Sequence, residues 1–211
     1  MNNLNTLLFC VLVTIAGNLP AQTNTNDPVE ITRMTVDEII DDMRSNEAVY
    51  TSDRVQLDAM VERRLLPRFN FNVMTQLAVG KYWAQASPEQ KNKLTDEFRT
   101  LLVRTYTNML FSNINMVYEN RNGTVSTGKS SMTPNGDAIV EVVVTRQSGE
   151  PLSLSLRMRR DREDWKVIDI SADGISLIVN YRASFTREAS LSGIDGLIKS
   201  LVDKNLANSN E

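Results

Sequence analysis

Apolar positions along the chain change their spacing twice. Between about 35 and 111 they recur every three or four residues, between 114 and 172 every second residue, and from 176 onward every three or four again. Spacing near 3.6 marks one face of a helix and alternation marks one face of a strand, so the pattern predicts helices, then a sheet, then helices. Thr35 and Glu38 form a T-x-x-E box that would open a first helix through Ile39, Ile40 and Met43. A second helix is expected from Ser52, with Val55, Leu57, Met60, Val61, Leu65 and Leu66 as its apolar positions and Pro67 at its end. A third runs from Asn70, a capping residue, to Val79, with Gly80 as its stop. The fourth opens at Ser87 with an S-x-x-Q box and Pro88 in the first turn, and stacks Leu94, Phe98, Leu101, Leu102, Thr105 and Met109 on one face.

The alternating region is cut by the turn signals Asn122-Gly123, Pro134-Asn135-Gly136, Ser148-Gly149 and Asp161 to Asp164, which predict an antiparallel meander. Its strands fall at 114–119, 124–132, 138–147, 152–160 and 165–172. The fourth alternates cleanly. Leu152, Leu154, Leu156 and Met158 share one face, and Ser153, Ser155, Arg157 and Arg159 the other. The third strand has Val140, Val142 and Val144 on one side and Ile139 and Val143 on the other, as expected of a central strand covered on both faces. Two helical stretches, 176–189 and 194–204, end the chain. The fold class expected is α+β, with a curled antiparallel sheet wrapped by N- and C-terminal helices.

Residues 7–17 (LLFCVLVTIAG) are too short a run to span a bilayer and precede Asn18-Leu19-Pro20-Ala21. They read as a cleaved secretory signal at 1–21, followed by a single domain over 22–211 of a soluble exported protein. The lone cysteine, Cys10, lies within that signal and lacks the small residues that precede a lipidated cysteine, so the mature protein would have no thiol.

Composition narrows the chemistry. The 211 residues contain no histidine, which removes Ser-His-Asp and Cys-His activation together with the commonest transition-metal ligand. A net charge of -3 offers no basic field for nucleic acid or for anionic lipid surfaces. Asp169 and Asp173, four apart on one strand, would stand roughly 13 Å from each other, too far to share a proton. Asp41-Asp42 and Asp161-x-x-Asp164 read as a helix face and a turn, and no hard-metal loop pattern exists. The sequence indicates no catalytic residue, no metal site and no cofactor. Asn122-Gly123-Thr124 satisfies a glycosylation sequon, although a hairpin turn explains it equally. Phe69, Phe71, Tyr82, Trp83, Phe98 and Tyr106 cluster around the third and fourth helices. With the extra apolar positions Val103 and Leu110, they supply more apolar surface than one helical stripe needs. Such a helix against a curled sheet can pack solidly or enclose a pocket.

A series of short segments in collinear order adds to this reading. They are Arg68-Phe69-Asn70-Phe71, Val79-Gly80-Lys81-Tyr82-Trp83, Ser87-Pro88-Glu89-Gln90, Phe98 with Leu101-Leu102-Val103 and Thr105-Tyr106, Trp165-Lys166-Val167 with Asp169, Gly174-Ile175-Ser176-Leu177, Asn180-Tyr181-Arg182 with Phe185, and Gly193-Ile194-Asp195-Gly196-Leu197-Ile198. Together they resemble the MlaC family, the periplasmic phospholipid-binding components of the Mla system, also called toluene-tolerance auxiliary proteins. The family has Asp between the two phenylalanines where this chain has Asn70, and either residue caps a helix.

The resemblance implies an NTF2-like fold with a deep apolar pocket. It also implies a periplasmic, monomeric carrier that moves phospholipid between an outer-membrane lipoprotein–porin complex and an inner-membrane MCE-domain ABC transporter, maintaining outer-membrane lipid asymmetry. The lipid-lining residues expected are Val73 and Leu77 on the third helix and Leu102, Tyr106 and Met109 on the fourth. Those expected on the strands are Val142, Val144, Leu154, Leu156, Met158, Ile168 and Ile170. Lys81, Arg182 and Arg187 flank the matching segments and are the docking candidates. Two alternatives stand beside this: a carrier of another lipid such as a hopanoid, and an enzyme on the same scaffold using Tyr106 or Asp169.

Overall fold

The structure, a computed structural model, describes residues 27–119, 124–145 and 150–207. The expected signal segment, most of the sequon and the Asn122-Gly123 and Ser148-Gly149 turns lie outside these residues. The first helix, α1 (Pro28–Ser45), starts well before the T-x-x-E box. Asp27 caps it by accepting a hydrogen bond from the Val29 N–H at 2.9 Å, and Pro28 occupies the first turn. Thr35 is interior and buried, its hydroxyl donating to the Ile31 carbonyl at 2.8 Å, so the box opens nothing. An Asp-Pro pair was the stronger start signal.

Next come α2 (Glu47–Tyr50) and α3 (Arg54–Met60), which continues into a π turn (Val61–Leu65) and a 3₁₀ turn (Leu66–Arg68). Leu57, Met60 and Val61 are buried as expected, whereas Val55, in the first turn after the Asp53 cap, is exposed. Asp42 ties this region together by accepting hydrogen bonds from Tyr50, Asn46 and Arg64 at 2.6, 2.9 and 3.0 Å. Burial and that bond push the Tyr50 phenol up to about 12.

In α4 (Phe71–Val79), Asn70 accepts from the Val73 N–H at 3.0 Å and Gly80 stops the helix with φ +62°, both as the sequence indicated. A 3₁₀ stretch (Gly80–Gln85) leads to α5 (Pro88–Ser112), whose capping box is complete. Residues 114–119 are not the expected strand but a short helix, α6 (Ile114–Glu119). Ile114 and Tyr118 are both buried, and Tyr118 donates its hydroxyl to the Met43 carbonyl at 3.0 Å. A spacing of four satisfies both a helix and an alternating strand, so six residues could not decide between them.

The sheet is a meander in chain order: β1 (Thr124–Met132), β2 (Ala138–Thr145), β3 (Leu152–Asp161), β4 (Asp164–Ala172) and a short β5 (Ile175–Ser176), all antiparallel. β2 is interior to the sheet, but its second face is not covered throughout, because Glu141 there is exposed and pairs with Ser155. Last comes α7 (Leu177–Ala207), broken by Gly193 at φ +72° into the two helical spans the sequence indicated.

Three apolar clusters hold these layers. One joins α4, α5 and α7 around Phe98 and Phe185. A second joins Ile31 of α1 to Ala138, Val140, Met158, Trp165 and Val167 of the sheet. The third joins α2, α3 and α6.

At the β1–β2 turn, Asp137 is 1% exposed and bound by Arg157 at 2.8 Å and Arg159 at 2.6 Å, both on β3. Burial alone would raise its carboxyl. The hydrogen bonds and charges of Arg159 and Arg157 outweigh that and hold it below the ordinary carboxylate range. Because the folded value lies below the unfolded one, the stabilisation is present above about pH 4 and lost as pH falls through the folded value. Asp137→Asn should lower stability by about 2 kcal/mol at neutral pH in urea unfolding. The gap to wild type should close on acidification; a gap independent of pH would show that the charge is not what stabilises the turn.

Candidate functional site

The site is built from the register of β2 on β3. Val140, Val142 and Val144 stand opposite Leu156, Leu154 and Leu152, so all six side chains share one face. β4 adds Ile170 opposite Leu156 and Ala172 opposite Leu154. One extra residue in β4, Ile168, shifts the register between Arg157 and Met158 as a bulge, and Ile168 is fully buried.

This face has two halves. At one end Ala138, Val140, Met158 and Val167 are packed under α1 and Phe69, with Leu156 and Ile170 against them. At the other, Val142, Val144, Leu152 and Leu154 face the same way and join none of the packed clusters among the described residues; Val142 is nonetheless buried, at 3% exposure, while Val144, Leu152 and Leu154 are half-buried. The helices packed on the strands are α1, α4 and α7. α5 packs on α4 and α7 and stands off from the sheet.

The apolar stripe of α5 runs on past the packed core. Leu94, Phe98, Leu101 and Leu102 are enclosed, but Tyr106 and Met109 are 45% and 57% exposed. An apolar stretch of α5 and an apolar half of the β2–β3 face thus both run on beyond the packed clusters of the described residues.

The structure divides the expected lining residues accordingly. Tyr106 and Met109 are exposed on α5, Val144 and Leu154 are half-buried at the end of the β2–β3 face that no packed cluster includes, and Val142 on that face is buried. Leu102 and Met158 belong to the solid core, and Met158 accepts a hydrogen bond at sulfur from Thr32 at 3.5 Å. Leu156 and Ile170 lie at the edge of that core, Leu77 packs on the helical cluster, and Val73 is half-buried on α4. Leu152 was missed, although it has the same parity as Leu154. Tyr181 was missed too. Its ring lies 5.0 Å from Phe98 and 5.6 Å from Phe185, on the edge of the helical core. Exposed Ile175 and Val179 stand where β5 passes into α7, at the sheet end that carries Ala172. A start-of-helix position with an apolar residue that buries nothing was the available signal.

Asp169 does not share this apolar face. It lies opposite Arg157, on the other face, and accepts hydrogen bonds from Ser176 at 2.6 Å and from the Ile178 N–H at 3.1 Å, which anchors the start of α7. The expectation of Asp169 as a pocket acid is therefore corrected. Asp173, at φ +47°, forms the β4–β5 turn with Gly174.

Lys81, Arg182 and Arg187 are all exposed. Arg182 also donates from Nε to the Leu77 carbonyl at 2.7 Å, closing the end of α4. Lys81 lies 5.1 Å from the Tyr82 ring centre. A separate groove of about 560 Å³, lined by Glu188, Ser192, Lys199 and Asp203 among others, involves none of the expected residues.

The sequence model of the MlaC protein family matches residues 33–203. The chain belongs to the MlaC family. It is 24% identical to the intermembrane phospholipid transport system binding protein MlaC of Haemophilus influenzae over 174 residues, which cover 81% of this chain and 78% of that protein. It is 25% identical to the toluene tolerance protein ttg2D of Pseudomonas putida over 169 residues, covering 80% and 75% of the two chains. Among solved structures it resembles the phospholipid-binding protein from Ralstonia solanacearum in complex with a phospholipid. There the TM-score is 0.73 at 28% identity, over 87% of this chain and 99% of that one. The NTF2-like α+β class expected of an MlaC protein is the class observed. Among the described residues no helix is long and apolar enough to cross a membrane.

If the far half of the sheet is unfilled, truncation there should cost little. Leu154→Ala should lower stability by under about 1 kcal/mol, against about 3 kcal/mol for Met158→Ala in the enclosed half. Thermal unfolding of the empty protein compares them, and equal losses would mean a continuous core.

Proposed function

We propose that this chain is a periplasmic phospholipid carrier. In this reading the acyl chains lie in a cleft between α5 and the open half of the sheet. The observation that carries the proposal is that half-sheet, where the half-buried Val144, Leu152 and Leu154 continue the apolar face beyond buried Val142 and belong to none of the packed clusters among the described residues. The phospholipid-bound relative of the same fold supports it.

The energetics suit such a role. Exposing two acyl chains of about sixteen carbons to water would cost on the order of 20 kcal/mol at about 0.8 kcal/mol per CH₂. A carrier has to offer surroundings nearly as dry as a bilayer, and apolar surface that no side chain fills provides them. Transfer from one such place to another is close to neutral, so contacts with partner proteins can direct it.

We assign the partners as an outer-membrane lipoprotein–porin complex and an inner-membrane MCE-domain ABC transporter, with outer-membrane lipid asymmetry as the result of the transfer. Residues 1–21 would be the export signal and 22–211 the carrier domain. The enzyme alternative has little to support it: among the described residues burial alone shifts the Tyr106 phenol, with no acid or base acting on it, and Asp169 is occupied in capping α7.

Protein purified from periplasm should carry phospholipid in native mass spectrometry, and an empty, folded chain under gentle conditions would overturn the assignment. Parity sharpens the test. Leu154→Arg places an unpaired charge among the tails and should expel lipid, whereas Ser155→Arg, one residue on, meets Glu141 on the opposite face and should retain it.

Docking is tested by charge. Lys81→Glu and Arg187→Glu should weaken binding to the transporter's MCE ring several-fold at low ionic strength, with bound lipid unchanged. Arg182 is less informative there, because its substitution also removes the hydrogen bond that closes α4. Unchanged affinity for both variants would place docking on another surface.

A further inference from the structure

The proposed cleft carries more than apolar surface. The five tyrosines around the helical layers divide by what their hydroxyls touch; Tyr82, in the 3₁₀ stretch beside Lys81, makes no hydroxyl hydrogen bond among the described residues but lies outside α5 and α7. Tyr50 donates to Asp42 and Tyr118 to the Met43 carbonyl. Tyr106 and Tyr181 form no hydroxyl hydrogen bond among the described residues, although each is partly enclosed.

Placement brings these two together. Tyr106 lies two turns along α5 beyond Phe98, and Tyr181 is held edge-on to that same Phe98 on the second turn of α7. Both therefore stand where α5 and α7 pass from the packed core to the open end of the sheet, with exposed Met109 and Val179 nearby in sequence on the same helices. Burial raises both phenols, and the neighbouring Tyr106 adds to the rise in Tyr181, so each stays an O–H donor at any physiological pH.

Tyr106 is 45% exposed and Tyr181 half-buried, so water can serve both hydroxyls in the empty chain; a ligand that displaces this water has to supply acceptors in its place, or the phenols are left unpaired. We propose that Tyr106 and Tyr181 donate hydrogen bonds to the acyl-ester carbonyl oxygens of a glycerolipid, fixing how deeply the tails enter and selecting ester-linked lipids whatever their headgroup. This rests on the carrier reading and adds the polar half of its specificity. Each ester carbonyl drawn towards the cleft loses water as a donor, and a phenol replaces it. Headgroup charge plays no part in the match, because phenols carry none.

The experiment offers the purified, delipidated protein an equimolar mixture of diacyl phosphatidylglycerol and its dialkyl ether analogue of equal chain length, and reads the bound ratio by native mass spectrometry. Wild type should favour the ester lipid by about tenfold or more. Tyr106→Phe and Tyr181→Phe, which keep the ring packing, should each reduce that preference about threefold, consistent with the net worth of one hydrogen bond. The double variant should take both lipids equally. Equal uptake by wild type, persistence of the preference in the double variant, or equal loss of both lipids from it would overturn the ester assignment while leaving the carrier reading intact. A wild-type chain that takes up neither lipid overturns both.

Discussion

The alignment of β2 on β3 is the constraint on which the rest of the molecule depends. It places Val140, Val142 and Val144 against Leu156, Leu154 and Leu152, so one face of the β2–β3 pair is apolar along its length while the other carries Glu141, Ser155, Arg157 and Arg159. A shift of one residue would exchange the faces and bring arginines to the helices. The buried turn at Asp137, held by Arg157 and Arg159, fixes this register from the polar side, since both arginines reach it only when β3 lies as it does. A pair of charges on one face thus secures the dry surface on the other.

That dry surface is longer than the helices that cover it. α1 and Phe69 close one end, and α7 is pinned to β4 through Asp169, which accepts from Ser176 and the Ile178 N–H. α5 is instead held by the aromatic trio Phe98, Tyr181 and Phe185 and by α4, away from the strands. The helical core is complete in itself, so nothing draws the distal half of α5 down onto the sheet.

How far this was legible in the sequence follows from length and period. Long segments with a single period, such as Leu94 to Leu102 or Leu152 to Met158, were read correctly, as were caps with two agreeing signals, at Asn70 and Ser87. Errors fell where local signals conflict. Thr35 has a box partner in Glu38, but Asp27 and Pro28 outrank it, and residues 114–119 suit either period. Parity put Val142, Val144, Leu154 and Met158 on one face, but it could not tell buried Val142 and Met158 from half-buried Val144 and Leu154. Whether a buried face is filled depends on where a distant helix stands, and α5 is remote from β3 in the chain. Tyr181 escaped for a related reason: its role arises from Phe98, eighty-odd positions away.

An unfilled apolar half-face has an energetic consequence. Apolar surface without partner atoms forgoes dispersion contacts and leaves hydration unrelieved, as a cavity does. An occupant that restores those contacts binds the folded chain and not the unfolded one, so loading adds RT ln(1 + [L]/Kd) to stability. The empty and loaded forms then differ in stability as well as content. A partner that strips the cleft has to supply equivalent apolar contact, or the protein itself resists the transfer.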